Sequence, residues 1–409
     1  MHRLLAILAL LTLGGCIEPE SPPSERTPPE VAAGDALALL PRLWAEAAPT
    51  ENIVYSPVST AQALGLVHLG ARGETQLQIA AYLGIPAGDA GDRQLQQIRT
   101  AAITGPDEQT VRVKIANALF LSDRWRFEDR YVAGARSLYA ATAAQADFAG
   151  APAEAAEAIN RWADEATEGM IANVVDVATL NREAAAYLAN ATFFEGSWRF
   201  DFRRTDQRPF LFADGRDRDF AMMSREGEFA QVEAGGWKAV RLAYSDERFA
   251  MDVMLPQQRQ PQLPEWGPDR VAELHQALSA ARPRALRVHL PRFQAAVRQD
   301  LKPPLRAAGL TLPFDPERAD LSGMSQPGQQ RLYIDEAFQV AKLEVFETGT
   351  RAAAATIMVP VPVSAPPPFS GPDFVVDHPF LFAIRDLESG AVLFFGRIMT
   401  PERFDARRE

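Results

Sequence analysis

Residues Glu347-Thr348-Gly349-Thr350-Arg351-Ala352-Ala353-Ala354-Ala355-Thr356 form the most suggestive run in this chain. Their asset is smallness. A glycine, threonines and four alanines give compact side chains and a pliable backbone. Such a run can lie exposed as a loop or enter a sheet as a strand. Composition alone favours an alanine-rich helix, because Ala has the highest helix propensity. The context differs, since a strand-like run, Val340 to Phe346, precedes it and a proline-crowded loop from Pro360 to Pro372 follows. Joining a sheet requires backbone donors and compact side chains at alternate positions. Counting in twos from Thr350 gives Ala352, Ala354, Thr356, Met358 and Pro360, small or adaptable as far as Met358. Arg351 falls on the alternate set, where a charge can reach solvent.

Catalytic chemistry of the chain's own is not signalled. There is no Gly-x-Ser-x-Gly elbow, no His-Glu-x-x-His and no phosphate-binding glycine loop. The five histidines, at 2, 68, 275, 289 and 378, show no metal-ligand spacing. His68 in an apolar helix and His378 beside Pro379 read as structural, and Asp246 and Glu247 as turn residues. No metal and no cofactor are therefore expected. The formal net charge of -11 and pI near 5.2 argue against a nucleic-acid partner. Lysine occurs at 114, 238, 302 and 342 alone, and no basic stripe suggests a heparin-like polyanion cofactor. Arginines such as Arg203 and Arg204 read as solvated surface residues.

The elements around the 347–356 run alternate between helix and strand. Leu37, Leu40, Leu43 and Trp44 give Ala36 to Ala47 helical spacing. Ser56 can cap a helix through Leu64 with Pro57 in its first turn, and Glu154 to Ala166 reads as a helix with a Trp162 face. Val111 to Leu121 alternates as a strand should. Ala184 to Phe194 is more continuously apolar, as a strand buried on both faces would be. Phe249–Leu255, Leu286–Leu290, Leu332–Phe346, Leu381–Ile384 and Val392–Ile398 supply further strands. Helices gather early and strands late, an α+β pattern. The length, without an internal repeat or second linker, predicts one large domain.

The N-terminus speaks to location. His2-Arg3 precedes an apolar run, Leu4 to Leu13, too short to span a bilayer as a mature helix. Leu13-Gly14-Gly15-Cys16 resembles a bacterial lipobox, which implies a signal peptide over 1–15 and a lipid on Cys16. Cys16 is the chain's one cysteine, so no disulfide forms within it. Residues 16–30, with prolines at 19, 22, 23, 28 and 29, read as an extended tether. The single domain then spans 31–409. The expected location is a bacterial cell envelope, extracytoplasmic; Ile17 after the cysteine points to the outer membrane, facing the periplasm or the surface.

Several sequence blocks stand in a fixed order between about Asp35 and Phe404. They are Asn52-Ile53-Val54-Tyr55-Ser56-Pro57-Val58-Ser59, Leu69-Gly70-Ala71-Arg72-Gly73-Glu74-Thr75, and Ala116-Asn117-Ala118-Leu119-Phe120-Leu121. Ile159-Asn160 follows, with Trp162, Thr167, Gly169 and Ile171. Next come Leu188-Ala189-Asn190-Ala191-Thr192-Phe193-Phe194-Glu195-Gly196-Ser197-Trp198 and Leu290-Pro291-Arg292-Phe293. The series closes with the 347–356 run, Asp377-His378-Pro379-Phe380-Leu381-Phe382 and Phe394-Phe395-Gly396-Arg397. Together, in this order, these blocks resemble the serpin family of serine protease inhibitors, which implies a serpin fold with three β-sheets, about eight to nine helices and an exposed reactive-centre loop at about 347–372. The resemblance also implies a monomer that inhibits a serine protease as a suicide substrate.

Carried over residue by residue, the hinge is Glu347, Gly349, Thr350, Ala352, Ala353, Ala354, Ala355 and Thr356. The sheet-opening region is Ser56, Ser59, Asn190, Trp198 and Gln339, where Gln339 replaces the family's usual histidine and can bond a neighbour such as Asn190. The residue before the scissile bond lies sixteen places after Glu347, giving Val363–Ser364, with Val361 and Met358 as the alternatives. Valine suits a small apolar pocket, as in elastase-like proteases. No Lys or Arg lies between Thr356 and Pro372, which disfavours a trypsin-like target. Pro360 and Pro362 cannot donate ladder bonds and would limit the depth of insertion. The competing readings are a non-inhibitory serpin-fold binder or carrier, and an envelope structural lipoprotein.

Overall fold

The computed structural model describes residues 42–43, 47–103, 111–169, 171–350 and 369–403. The expected signal peptide, Cys16, the tether, and the loop from Arg351 to Pro368 with Val363–Ser364 lie outside the described residues. No described helix is long and apolar enough to cross a membrane.

In chain order the first elements are β1 (Ile53–Tyr55), α1 (Pro57–Gly70), α2 (Gly73–Leu83), α3 (Asp89–Ile103), β2 (Val111–Ser122), α4 (Asp129–Tyr139), β3 (Thr142–Ala146) and α5 (Pro152–Ala166). A run of strands follows: β4 (Ala186–Ser197), β5 (Arg204–Leu211), β6 (Asp217–Phe229), β7 (Gln231–Ala234), β8 (Trp237–Ala243) and β9 (Phe249–Pro256). Then come α6 (Pro268–Ala280), β10 (Arg284–Pro291), β11 (Phe293–Asp300), α7 (Lys302–Ala307) and a 3-10 turn at Leu312–Phe314. The chain ends with β12 (Glu336–Phe346), β13 (Gly349–Thr350), β14 (Asp373–Val375), β15 (Phe380–Asp386) and β16 (Val392–Ile398).

These strands make three sheets. The central one runs β11-β12-β13-β4-β2-β3, a second β1-β16-β15-β9-β8-β7, and a smaller third β14-β10-β6-β5. Helix α1 lies against both large sheets and is buried nearly all round, so its apolar character is not confined to one stripe. Its start is set locally. Ser56 sits in extended backbone, its hydroxyl accepts from Ser59 N at 3.3 Å, and Pro57 takes the first turn. Strand β4 is buried along almost its whole length because α1 and α5 cover it. That explains its unbroken apolar run.

Two sequence expectations change. Among the described residues there are seven α-helices, not eight to nine, and the helix expected over 36–47 lies largely outside them. The strand expected from Leu332 begins only at Glu336. Over 332–335 the backbone is bonded elsewhere, Ile334 N to Pro313 O at 2.9 Å and Asp335 N to Ala186 O at 3.0 Å. Those partners sit outside the strand ladder, so the apolar residues Leu332 and Ile334 are buried without joining the sheet.

Candidate sheet-opening site

The seam between β12 and β4 is the unusual place in the central sheet. The two strands pair in parallel from Glu336↔Tyr187 to Lys342↔Phe193. Above that, the short strand β13 stands between them, antiparallel to both, with Thr350 opposite Val345 and Gly196 and Gly349 opposite Phe346 and Ser197. The direct pairing ends at Lys342↔Phe193 and the pairing through β13 begins at Val345 and Gly196, with Leu343, Glu344, Phe194 and Glu195 in between. Gln339 faces Asn190 below and Val345 is level with Gly196 above, so both walls keep one register with no slip.

Aromatic packing and backbone bonds hold β13 in place. Thr350 is completely buried, its hydroxyl 2.7 Å from the Tyr244 hydroxyl. Burial holds that phenol far above its usual range, a shift the Thr350 hydrogen bond partly opposes, so it stays neutral. Tyr244 stacks on Trp198 with ring centroids 4.6 Å apart, and the Trp198 indole N–H donates to Phe346 O at 2.9 Å. Trp198 N donates to Thr348 O at 3.0 Å and Phe202 N to Glu347 O at 2.8 Å. Gly349 is obligatory, since a Cβ there would lie 2.3 Å from Gly196 O. The Glu347 carboxylate accepts from the Thr205 hydroxyl and lies 3.7 Å from Arg292 Nε.

Lower down, a buried polar network closes the seam. Gln339 Nε2 donates to Asn190 Oδ1 at 2.7 Å and to Thr60 Oγ1 at 3.1 Å, while its Oε1 accepts from Ser56 N at 2.7 Å. Asn190 Nδ2 donates to Ser59 Oγ at 2.6 Å and to Asn117 Oδ1 at 2.7 Å, and Thr192 Oγ1 donates to Ser59 Oγ. Gln339 and Asn190 have no exposed surface, so their amides depend on these partners.

Four of the five residues expected in the sheet-opening region, Ser56, Ser59, Asn190 and Gln339, thus meet in this network. Trp198 sits at the upper end, over β13. Of the hinge, Glu347, Gly349 and Thr350 are described; Ala352, Ala353, Ala354, Ala355 and Thr356 are not. Sequence reasoning missed Thr60, Asn117, Thr192, Phe202 and Tyr244. Asn117 and Thr192 carried a signal, as polar residues inside strands otherwise apolar; Tyr244 and Phe202 carried none. Among the described residues no cluster of His, Cys, Asp or Glu is arranged to hold a metal. The described histidines sit apart, each near its own carboxylate: His68 near Asp92, His275 near Asp252, His289 near Asp373 and His378 near Asp377.

The family described as Serpin (serine protease inhibitor) matches residues 35–401. This chain belongs to the serpins. It is 36% identical to wheat Serpin-Z2B over 375 residues, 86% of this chain and 90% of that one. It is 31% identical to human neuroserpin over 97% of each chain. Among solved structures it superimposes on native protease nexin-1 with heparin at a TM-score of 0.78. That match has 28% identity and covers 91% of this chain and 98% of the other. The three-sheet α+β architecture of this serpin is that of its relatives, and the family is one of serine protease inhibitors.

Proposed function

We propose that this serpin inhibits a serine protease as a suicide substrate, by the insertion of residues 351 onward into the β12–β4 seam. The observation that carries the reading is β13, the start of the hinge standing as a strand in a cleft whose walls already share one register. Insertion in that register would set Ala352 against Leu343 and Phe194, and Thr356 against Gln339 and Asn190. The Thr356 hydroxyl is a replacement partner for amides that must part as the seam opens. Arg351 would arrive between Glu344 and Glu195, on the side away from Thr350, where opposite charges across a ladder are favourable. Met358 would meet Ala337 and Leu188. Pro360 would fall opposite Asp335 and Ala186, at the lower limit of β12 and β4, where a missing ladder donor costs little.

That geometry supports Val363–Ser364 as the bait bond, because it puts the carried residue just beyond the sheet. The protease's serine attacks the Val363 carbonyl, forming an acyl-enzyme and releasing the amine of Ser364. The freed strand inserts, and the protease is displaced before water hydrolyses the ester. Each inserted residue gains ladder hydrogen bonds worth about 1 kcal/mol net apiece. Valine before the bond matches an elastase-like pocket. Lipidation at Cys16, with residues 16–30 as tether, would hold this reaction at an envelope membrane.

Incubation with an elastase-type serine protease tests the proposal. A band at the summed mass on a denaturing gel, with a released peptide beginning at Ser364 by mass spectrometry, is the expected result. Loop cleavage without a covalent band would favour a carrier or binding role instead.

A further inference from the structure

In a chain of net charge -11, arginines converge where β4 turns into β5. Phe200, on that turn, is 55% exposed. Its ring lies between two guanidinium groups, with the Arg225 carbon 4.3 Å and the Arg199 carbon 5.3 Å from the centroid. Arg225 also donates to Phe200 O at 2.6 Å. Arg203 N donates at 3.1 Å to the carbonyl of Ser224, the residue before Arg225 on β6, and the charge of Arg203 acts on Arg225.

Counter-charge at this spot is thin. Arg199 has Glu247 at 3.2 Å, and Asp201 lies near Arg225 and Arg203. Arg203 and Arg204 are exposed and make no ion pair among the described residues. Burial, and then the neighbouring charge of Arg203, bring Arg225 down to about 10. Like charges crowded this way repel until an anion joins them.

The location supplies the occupant. The same turn carries Trp198 and Phe202, whose backbone N–H groups hold Thr348 and Glu347 at the root of the loop. Whatever binds the loop is brought toward this patch. A sulfated polysaccharide would engage the arginines and leave the Phe200 ring unused. A protein surface uses both, and Arg with aromatic residues forms the usual anchor of protein interfaces.

We propose that Phe200, Arg199, Arg203 and Arg225 form a secondary docking site for an acidic surface on the target protease, next to the loop it cleaves. This rests on the inhibitor reading above. The probe is an elastase-type serine protease of net negative charge with its nucleophilic serine replaced by alanine, bound at low and at physiological salt. Arg203→Glu is expected to weaken binding about fivefold at low salt, with the difference shrinking as salt rises. Phe200→Ser is expected to weaken it a few-fold with little salt dependence. Equal binding by all three proteins, no binding by the wild type, or a loss seen only with a heparin fragment would each overturn the docking site. Covalent yield of the wild type with active protease is scored in parallel. A missing covalent band there refutes the inhibitor reading, whereas the affinity ratios report on the patch.

Discussion

The upper and lower parts of the β12–β4 seam are built from different materials. At the top, Trp198, Tyr244 and Phe202 form an aromatic support, and a piece of strand already stands between the walls. Lower down, the walls touch directly, and buried amides and hydroxyls join them to α1. An aromatic support tolerates a small inserted side chain such as Thr350 without leaving a cavity. A polar network tolerates separation only if each amide finds a new partner, because an orphaned buried group costs about 1–3 kcal/mol. The top is therefore a wedge and the middle a seal. Under the proposed insertion, a seal of hydrogen bonds would be exchanged for those of Thr356, which an interlocked apolar seam would not permit.

The largest effect should come from the wedge. Thr350→Arg puts a charged side chain into a fully buried site beside Tyr244, so covalent complex should vanish from the gel and leave only cleaved protein. Undiminished complex would show that the wedge does not govern insertion. The seal should answer next, and through stability. Gln339→Ala removes the partner of Ser56 N, Thr60 Oγ1 and Asn190 Oδ1, and should cost about 2–3 kcal/mol in urea unfolding. A loss within about 0.5 kcal/mol would mean the network is not what closes the seam. The smallest change tests the gap between the two. Arg351→Glu should leave stability unchanged but raise the number of inhibitor molecules consumed per protease a few-fold, through repulsion by Glu195 and Glu344. An unaltered ratio would break the proposed register.

Much of this seam was legible before any coordinates. Ser56, Ser59, Asn190 and Trp198 stand in blocks that resemble the serpins, Gln339 stands where the family usually has a histidine, and the small residues after Glu347 mark the hinge. Thr350, the first residue of the period-two set, is buried. Tyr244 and Phe202 were not legible. Nothing in Ala243-Tyr244-Ser245 distinguishes it from other strand ends, and Tyr244 matters only because β8 brings it beneath Trp198. The arginine patch was equally hidden, since Arg203 read as a solvated surface charge until the fold set Arg199 and Arg225 beside it.

The sequence by itself determined local matters: the Ser56 cap with Pro57, the unbroken apolar run of β4, and the compact side chains after the hinge glutamate. Each depends on short-range sterics or on periodicity, which neighbouring residues settle among themselves. The tertiary structure alone decided that two parallel walls share one register around β13, that Gln339 reaches Asn190 from 149 residues away, and that two arginines flank one exposed phenylalanine. Those depend on which strands become neighbours. That choice is made by burial of the whole core, and no local pattern encodes it.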